Sequence, residues 1–132
     1  MSTYYYIVPF QPDKWESETS SLSIDPTRLQ KELKSQWPDI TILTPQQDDL
    51  YLLEWQFNHQ GGPSYLSGLQ RGNQTVSFGL DAYFIEFILW YRKFVQSNFR
   101  LFLTCDAYPI TRFLELTSDT NEKSINNYLH QN

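Results

Sequence analysis

Three kinds of side chain in this sequence could do chemistry: one cysteine, two histidines, and a set of carboxylates near the ends of predicted elements. Cys105 with His59 or His130 would be the minimal nucleophile and base, because a thiol reacts as its thiolate and an imidazole in hydrogen-bond reach supplies it. Their surroundings argue otherwise. Cys105 closes a predicted strand on its apolar side, where cysteine packs as a small inert hydrophobe. His130 stands near the end of the sequence and reads as solvated. His59 lies in Asn58 to Ser64, NHQGGPS, a loop by composition, and is the better placed of the two.

The carboxylates are Asp48, Asp49, Glu54, Asp81, Asp106, Glu115 and Asp119. Two of them side by side could exchange protons with a substrate. Most have a structural task readable from position: Asp81 and Asp119 as helix caps, Asp48 and Asp49 in a turn, Glu54 and Glu115 on outward strand positions. Asp106 has none beyond its turn. No HxH, HExxH or EF-hand spacing gathers metal ligands, and Gly61-Gly62 is followed by Pro63 rather than by a lysine opening a helix. Neither a dinucleotide fingerprint nor a GxSxG elbow occurs. The sequence implies no metal and no cofactor.

The elements that must position these residues are organised around Asp81 to Ser97, DAYFIEFILWYRKFVQS. As a helix it lines up Phe84, Phe87, Ile88, Tyr91, Phe94 and Val95, with Ile85, Leu89 and Trp90 widening the stripe. Only Glu86, Arg92, Lys93 and Gln96 are left to meet water. Tyr4 to Phe10 predicts a first strand, and Asp13 to Ile24 a polar surface loop with Trp15 as its anchor. Asp25-Pro26 opens a helix carrying Leu29, Leu33 and Trp37, which Pro38 stops. Ile40 to Leu43 and Leu50 to Phe57 read as strands, the second by strict alternation. Tyr65 to Leu69 and Gln74 to Leu80 form a hairpin about Arg71-Gly72-Asn73. Phe99 to Cys105 and Arg112 to Thr117 are the last strands. Asp119 with Glu122 predicts a capping box for a C-terminal helix bearing Ile125, Tyr128 and Leu129.

The expected fold is a single α+β domain over residues 1–132. It is a two-layer sandwich of a mostly antiparallel (mixed) sheet with a long central helix and two shorter ones, in the order β-α-β-β-β-β-α-β-β-α. At this length roughly two-thirds of the unfolded chain's surface is buried on folding, enough for a core. Aromatic residues make up 17% of the chain, so large rings must fill that core, and any left outside are suited to interfaces.

Charge narrows the function. Through residue 60 there are nine acidic residues against four basic ones, and from residue 61 six of each, so the net charge of −5 lies wholly in the first half. An acidic surface repels phosphate backbones, which excludes nucleic acid, and favours a basic protein partner. The central apolar run is broken by Glu86, Arg92 and Lys93, and MSTYYYIVPF has no basic start and no sustained apolar run. Neither a membrane span nor a signal peptide is expected. A lone cysteine fits a cytoplasmic protein. The leading expectation is a soluble, acidic, non-enzymatic protein-interaction module anchored by Trp15, Trp37 and Tyr108. It would bind a basic partner, or pair with itself through the central helix or an edge strand. The alternative is a small-molecule or enzymatic pocket between sheet and helix, lined by Trp55, Phe57, Tyr83 and Asp106 and gated by the His59 loop.

Overall fold

Alternation along each strand sends successive side chains to opposite faces. A computed structural model of the chain describes residues 4–43, 51–57, 68–79 and 83–130. Among them the strands are β1 (Tyr5–Val8), β2 (Thr41–Leu43), β3 (Tyr51–Gln56), β4 (Gly68–Arg71), β5 (Thr75–Phe78), β6 (Leu101–Cys105) and β7 (Leu114–Leu116). All seven join in one sheet, ordered β2-β3-β4-β5-β1-β6-β7, and every pairing is antiparallel. The first strand thus lies inside the sheet, with Tyr5 opposite both Phe78 and Cys105, and Ile7 opposite both Val76 and Leu103.

Register puts Tyr5, Ile7, Leu53, Trp55, Val76, Phe78, Leu101 and Leu103 on one face, all buried in a single cluster. Three helices cover that face: α1 (Pro26–Gln36), α2 (Phe84–Phe94) and α3 (Glu122–Leu129). From α2 come Phe84, Phe87, Ile88 and Tyr91, at most 3% exposed. Burial of each such side chain is worth about 1.5–3 kcal/mol as an upper estimate, against tenths for helix propensity, so packing makes this helix.

Helix ends depart from expectation where distant groups intervene. At α1 the Asp25 carboxylate accepts from the Thr27 N–H at 3.3 Å, with Pro26 in the first turn. The central helix is not long: α2 has eleven residues, as does α1. Asp81 lies outside the described residues, and Tyr83 takes the N-cap position, its side chain making no capping hydrogen bond to the first turn. At the other end Arg92, expected in water, folds back onto the chain. It donates to the carbonyls of Val95 (3.2 Å), Gln96 (2.8 Å), Phe99 (2.9 Å) and Leu116 (3.3 Å). The capping box of α3 is Asn121 with Ser124, not Asp119 with Glu122. Thr117 and Thr120 close a turn ahead of the helix through the Thr117 N–H to Thr120 Oγ1 bond of 2.8 Å, which moves the start to Glu122.

The segment expected as a polar loop from Asp13 to Ile24 is tied down at both ends. It begins in a 3₁₀ turn, Pro12–Lys14, and ends with Leu22 and Ile24 buried in the core. Gln70, itself fully buried, donates from Nε2 to the Ile24 carbonyl at 2.8 Å, and the Ile24 N–H donates to the Asn73 carbonyl at 2.7 Å. Asn73 belongs to the β4–β5 turn, where Gly72 takes φ +62°, the left-handed conformation glycine adopts without strain.

Burial pushes the hydroxyls of Tyr5, Tyr91 and Tyr128 well above their ordinary value of 10. A group whose folded pKa is raised keeps its proton in the native state while the unfolded chain loses it. The contribution of these tyrosines to stability is therefore constant below pH about 10 and falls above it, by up to about 1.4 kcal/mol per pH unit for each. Denaturant titrations in alkaline buffers should show a steep loss of stability there, coinciding with the rise of tyrosinate absorbance. A flat profile through that range would refute the coupling.

Candidate functional site

The sheet's second face is where side chains are left for a partner. The residues of β1 that point away from the helices are Tyr6 and Val8, paired with Thr104 and Phe102 of β6. None of the four side chains is charged, and Phe102 is 1% exposed, set edge-on against Phe113 with ring centroids 5.5 Å apart. Part of this face is thus a second apolar layer.

Two connections border it. After β1, Pro9 ends the strand and the chain turns back: Lys14 N–H donates to the Gln11 carbonyl at 2.8 Å, and the Glu18 carboxylate accepts from the Gln11 N–H at 2.9 Å. This bend buries Pro12 and leaves Trp15 59% exposed. After β6, Asp106 anchors the second connection to the first strand, accepting from the Tyr4 N–H at 3.1 Å while its own N–H donates to the Tyr4 carbonyl at 3.1 Å. The turn then places Tyr108 half-buried and Ile110 49% exposed.

Tyr108 is held firmly. Its ring meets Tyr128 edge-on at 5.7 Å and lies 3.7 Å from the Arg112 guanidinium, which donates to the Tyr128 carbonyl at 2.7 Å. The Tyr128 hydroxyl donates in return to the Arg112 carbonyl at 3.1 Å. A cation over a ring contributes about 0.5–2 kcal/mol, and two reciprocal hydrogen bonds add to it, so the turn is docked on α3 rather than loose.

Between these connections is an open groove of about 390 Å³, lined by Tyr6, Val8, Phe10, Pro12, Trp15, Thr104, Cys105, Asp106, Tyr108 and Ile110. Its walls are mostly apolar. The flanking segments carry Asp13, Glu16, Glu18 and Asp106 against Lys14 and Arg112, whose guanidinium is taken up by the Tyr108 ring and the Tyr128 carbonyl. Cys105 underlies the groove at 3% exposure, and burial raises its thiol pKa, so it stays protonated. Among the described residues, no three His, Cys, Asp or Glu side chains come together to hold a metal.

The structure brings together Trp15, Tyr108 and Asp106, which the sequence had assigned to two different hypotheses. Trp37 does not join them. It is 8% exposed, 5.0 Å from Phe57 and 5.4 Å from Trp90 between ring centroids, so it belongs to the core because its helix faces β3 rather than solvent. Trp55 and Phe57 are core residues too, at 0% and 3% exposure. Tyr83 packs on Phe57 at 5.0 Å. Rings fill the space where a pocket between sheet and helix was expected, leaving a recess of about 150 Å³ at Trp37, Phe57 and Tyr83. His59 lies outside the described residues. Sequence reasoning missed Tyr6, Val8, Phe10, Pro12, Thr104 and Ile110 of the groove, and only Tyr6 and Val8 had a signal: YYIV is apolar at all but its tyrosine hydroxyls, so β1 has no polar face. Comparison with protein-family models, with curated proteins and with solved structures finds no match, so the reading of this groove rests on its own chemistry.

Proposed function

We propose that the chain is a non-enzymatic protein-binding module, and that the groove on the second sheet face takes an apolar side chain of a partner that carries positive charge beside it. The observation that supports this most is the exposure of Trp15 and Ile110 on the borders of one apolar groove, with Asp13 and Glu16 flanking Trp15 in the chain and Asp106 in the groove lining. A tryptophan at 59% exposure offers an aromatic anchor to a partner. Aromatic anchors carry most of the energy of protein interfaces, while flanking carboxylates speed encounter with a cationic surface and reject acidic ones. Among the described residues no helix is long and apolar enough to cross a membrane. The single cysteine fits a reducing, cytoplasmic setting for the complex.

The test is capture of the native partner with the intact protein, followed by binding of that partner in purified form. Trp15→Ala is expected to weaken the complex at least 30-fold, about 2 kcal/mol, while changing folding stability by no more than about 0.5 kcal/mol. Ile110→Asp should do the same, and the association rate should fall as salt is raised. A partner that binds both variants as tightly as the parent chain would place the interface elsewhere. If the only partner is another copy of this chain, seen as a doubled solution mass lost in Trp15→Ala, the groove is a self-association surface instead.

A further inference from the structure

A second cavity, larger than the groove and of opposite charge, opens at the far end of α2, with a volume of about 540 Å³. Arg92 and Lys93 from the last turn of α2 line it, together with Arg100 at the entry to β6 and the hydroxyl residues Ser97, Thr117 and Ser118. Its one carboxylate is Glu115 of β7. In a chain of net charge −5 this corner carries three cations against one anion.

The three cations have different tasks. Arg92 spends its two terminal nitrogens on four backbone carbonyls, which hold it in place without a carboxylate hydrogen-bonded to it. That charge also cancels the partial negative end of the α2 dipole, which would otherwise repel an anion here. Lys93 is exposed. Arg100 presents its guanidinium as a fork, with Nε 3.0 Å from Glu115 Oε2 and a terminal nitrogen 3.1 Å from Oε1. The pair is open to water, with side-chain exposures of 57% and 38%. Such exposed pairs contribute little and exchange readily for a better anion.

We propose that this cavity is a binding site for a phosphate-bearing ligand, in which Arg100 and Lys93 grip the phosphate oxygens and Glu115 is an internal stand-in that the phosphate displaces. A phosphate monoester near neutral pH carries close to two negative charges on three acceptor oxygens. The lining holds three cations against one carboxylate, a balance that a dianion would close. The guanidinium fork already adopted toward Glu115 matches the bidentate geometry that phosphate accepts. The neighbouring hydroxyls of Ser97, Thr117 and Ser118 can donate to the remaining oxygens. This site shares no lining residue with the groove, although Arg100 lies over the Phe102 ring on the same sheet face, 4.9 Å from its centroid.

The experiment is titration of the intact protein with inorganic phosphate, pyrophosphate and O-phosphoserine, followed by backbone amide shifts and by calorimetry. Saturable binding is expected, with shifts centred on residues 93–100 and 115–118. Lys93→Gln combined with Arg100→Gln should weaken it at least about tenfold, the size of losing one charge-assisted hydrogen bond. Glu115→Gln should tighten it about two- to fivefold, because the competing anion is gone. A merely structural ion pair would move neither affinity in that opposed way. Free phosphates binding as well as a phosphoserine hexapeptide would mark a small-molecule site, and preference for the hexapeptide a phosphopeptide site, both within the proposal. Shifts that do not saturate, binding indifferent to Lys93 and Arg100, or a Glu115→Gln variant that binds more weakly would each overturn it.

Discussion

Replacing Gly68 with alanine is expected to lower the folding stability by about 3 kcal/mol and the Tm by about 10 °C, although it adds a single methyl group. Gly68 lies opposite Trp55 across the β3–β4 ladder. A Cβ built on it would stand 2.5 Å from Trp55 Cζ2, 2.6 Å from Cε2 and 2.7 Å from Nε1, so the indole covers the position where a side chain would go. The ring cannot easily retreat. It is fully buried, packed against Phe87 with centroids 5.6 Å apart, and Phe87 in turn contacts Phe78, Trp90 and Tyr91. Flexibility is not the issue, since no left-handed φ is found at Gly68. Space is. Thermal and denaturant unfolding of Gly68→Ala, Trp55→Leu and the double variant will separate the two explanations. Each single change should destabilise, and the double should be less damaging than their sum by at least about 1 kcal/mol, because the smaller side chain vacates the space the methyl needs. Strict additivity would show that the two residues do not collide.

The second large effect is expected at Arg92. Arg92→Met keeps the apolar stem but removes donors from four carbonyls contributed by the end of α2, by Phe99 before β6 and by Leu116 of β7. Bonds to a charged donor are worth about 1.5–3 kcal/mol when fully desolvated. Gln96 and part of the cavity wall are open to water, which can rehydrate some of the acceptors. A net loss of about 3–4 kcal/mol follows. Arg92→Lys should recover less than half of it, because one ammonium cannot span acceptors on three elements. Amide hydrogen exchange adds a sharper criterion: protection should drop first at Val95 to Leu101 and in β7, ahead of global unfolding. Equal stability of the methionine variant would mean that the carbonyls are satisfied by solvent.

Arg92 also marks where sequence reasoning stops. Within the helical pattern of FIEFILWYRKF it occupies a polar position and reads as a solvated face, and nothing in its neighbours predicts carbonyls of Phe99 and Leu116 waiting for it. The Asn121–Ser124 box was displaced by two positions for a similar reason, since a threonine turn upstream competes for the start of α3. Trp37 stands at the end of a narrow helical stripe, beside the break at Pro38, and so reads as an anchor for a partner. Its surroundings, Phe57 after β3 and Tyr83, Phe87 and Trp90 at α2, come from two stretches of chain far from it in sequence.

What the sequence determined by itself is what depends on neighbours a few positions away. Alternation in Tyr51 to Gln56 specifies a strand with one buried face, the apolar run Leu101 to Cys105 another strand buried on both, the spacing of Phe84, Phe87, Ile88 and Tyr91 specifies a helix, and Asp25-Pro26 starts a second. These periods of two and 3.6 are properties of local backbone geometry, so a short window contains them. Only the tertiary structure decided that β1 lies between β5 and β6, with both its faces lined by side chains. That placement creates the groove, because it carries Tyr6 and Val8 to Thr104 and Phe102 and ties Tyr4 to Asp106, 102 positions along the chain. Register between strands so far apart is chosen by the whole core at once, through which rings fit together, and no local pattern encodes it.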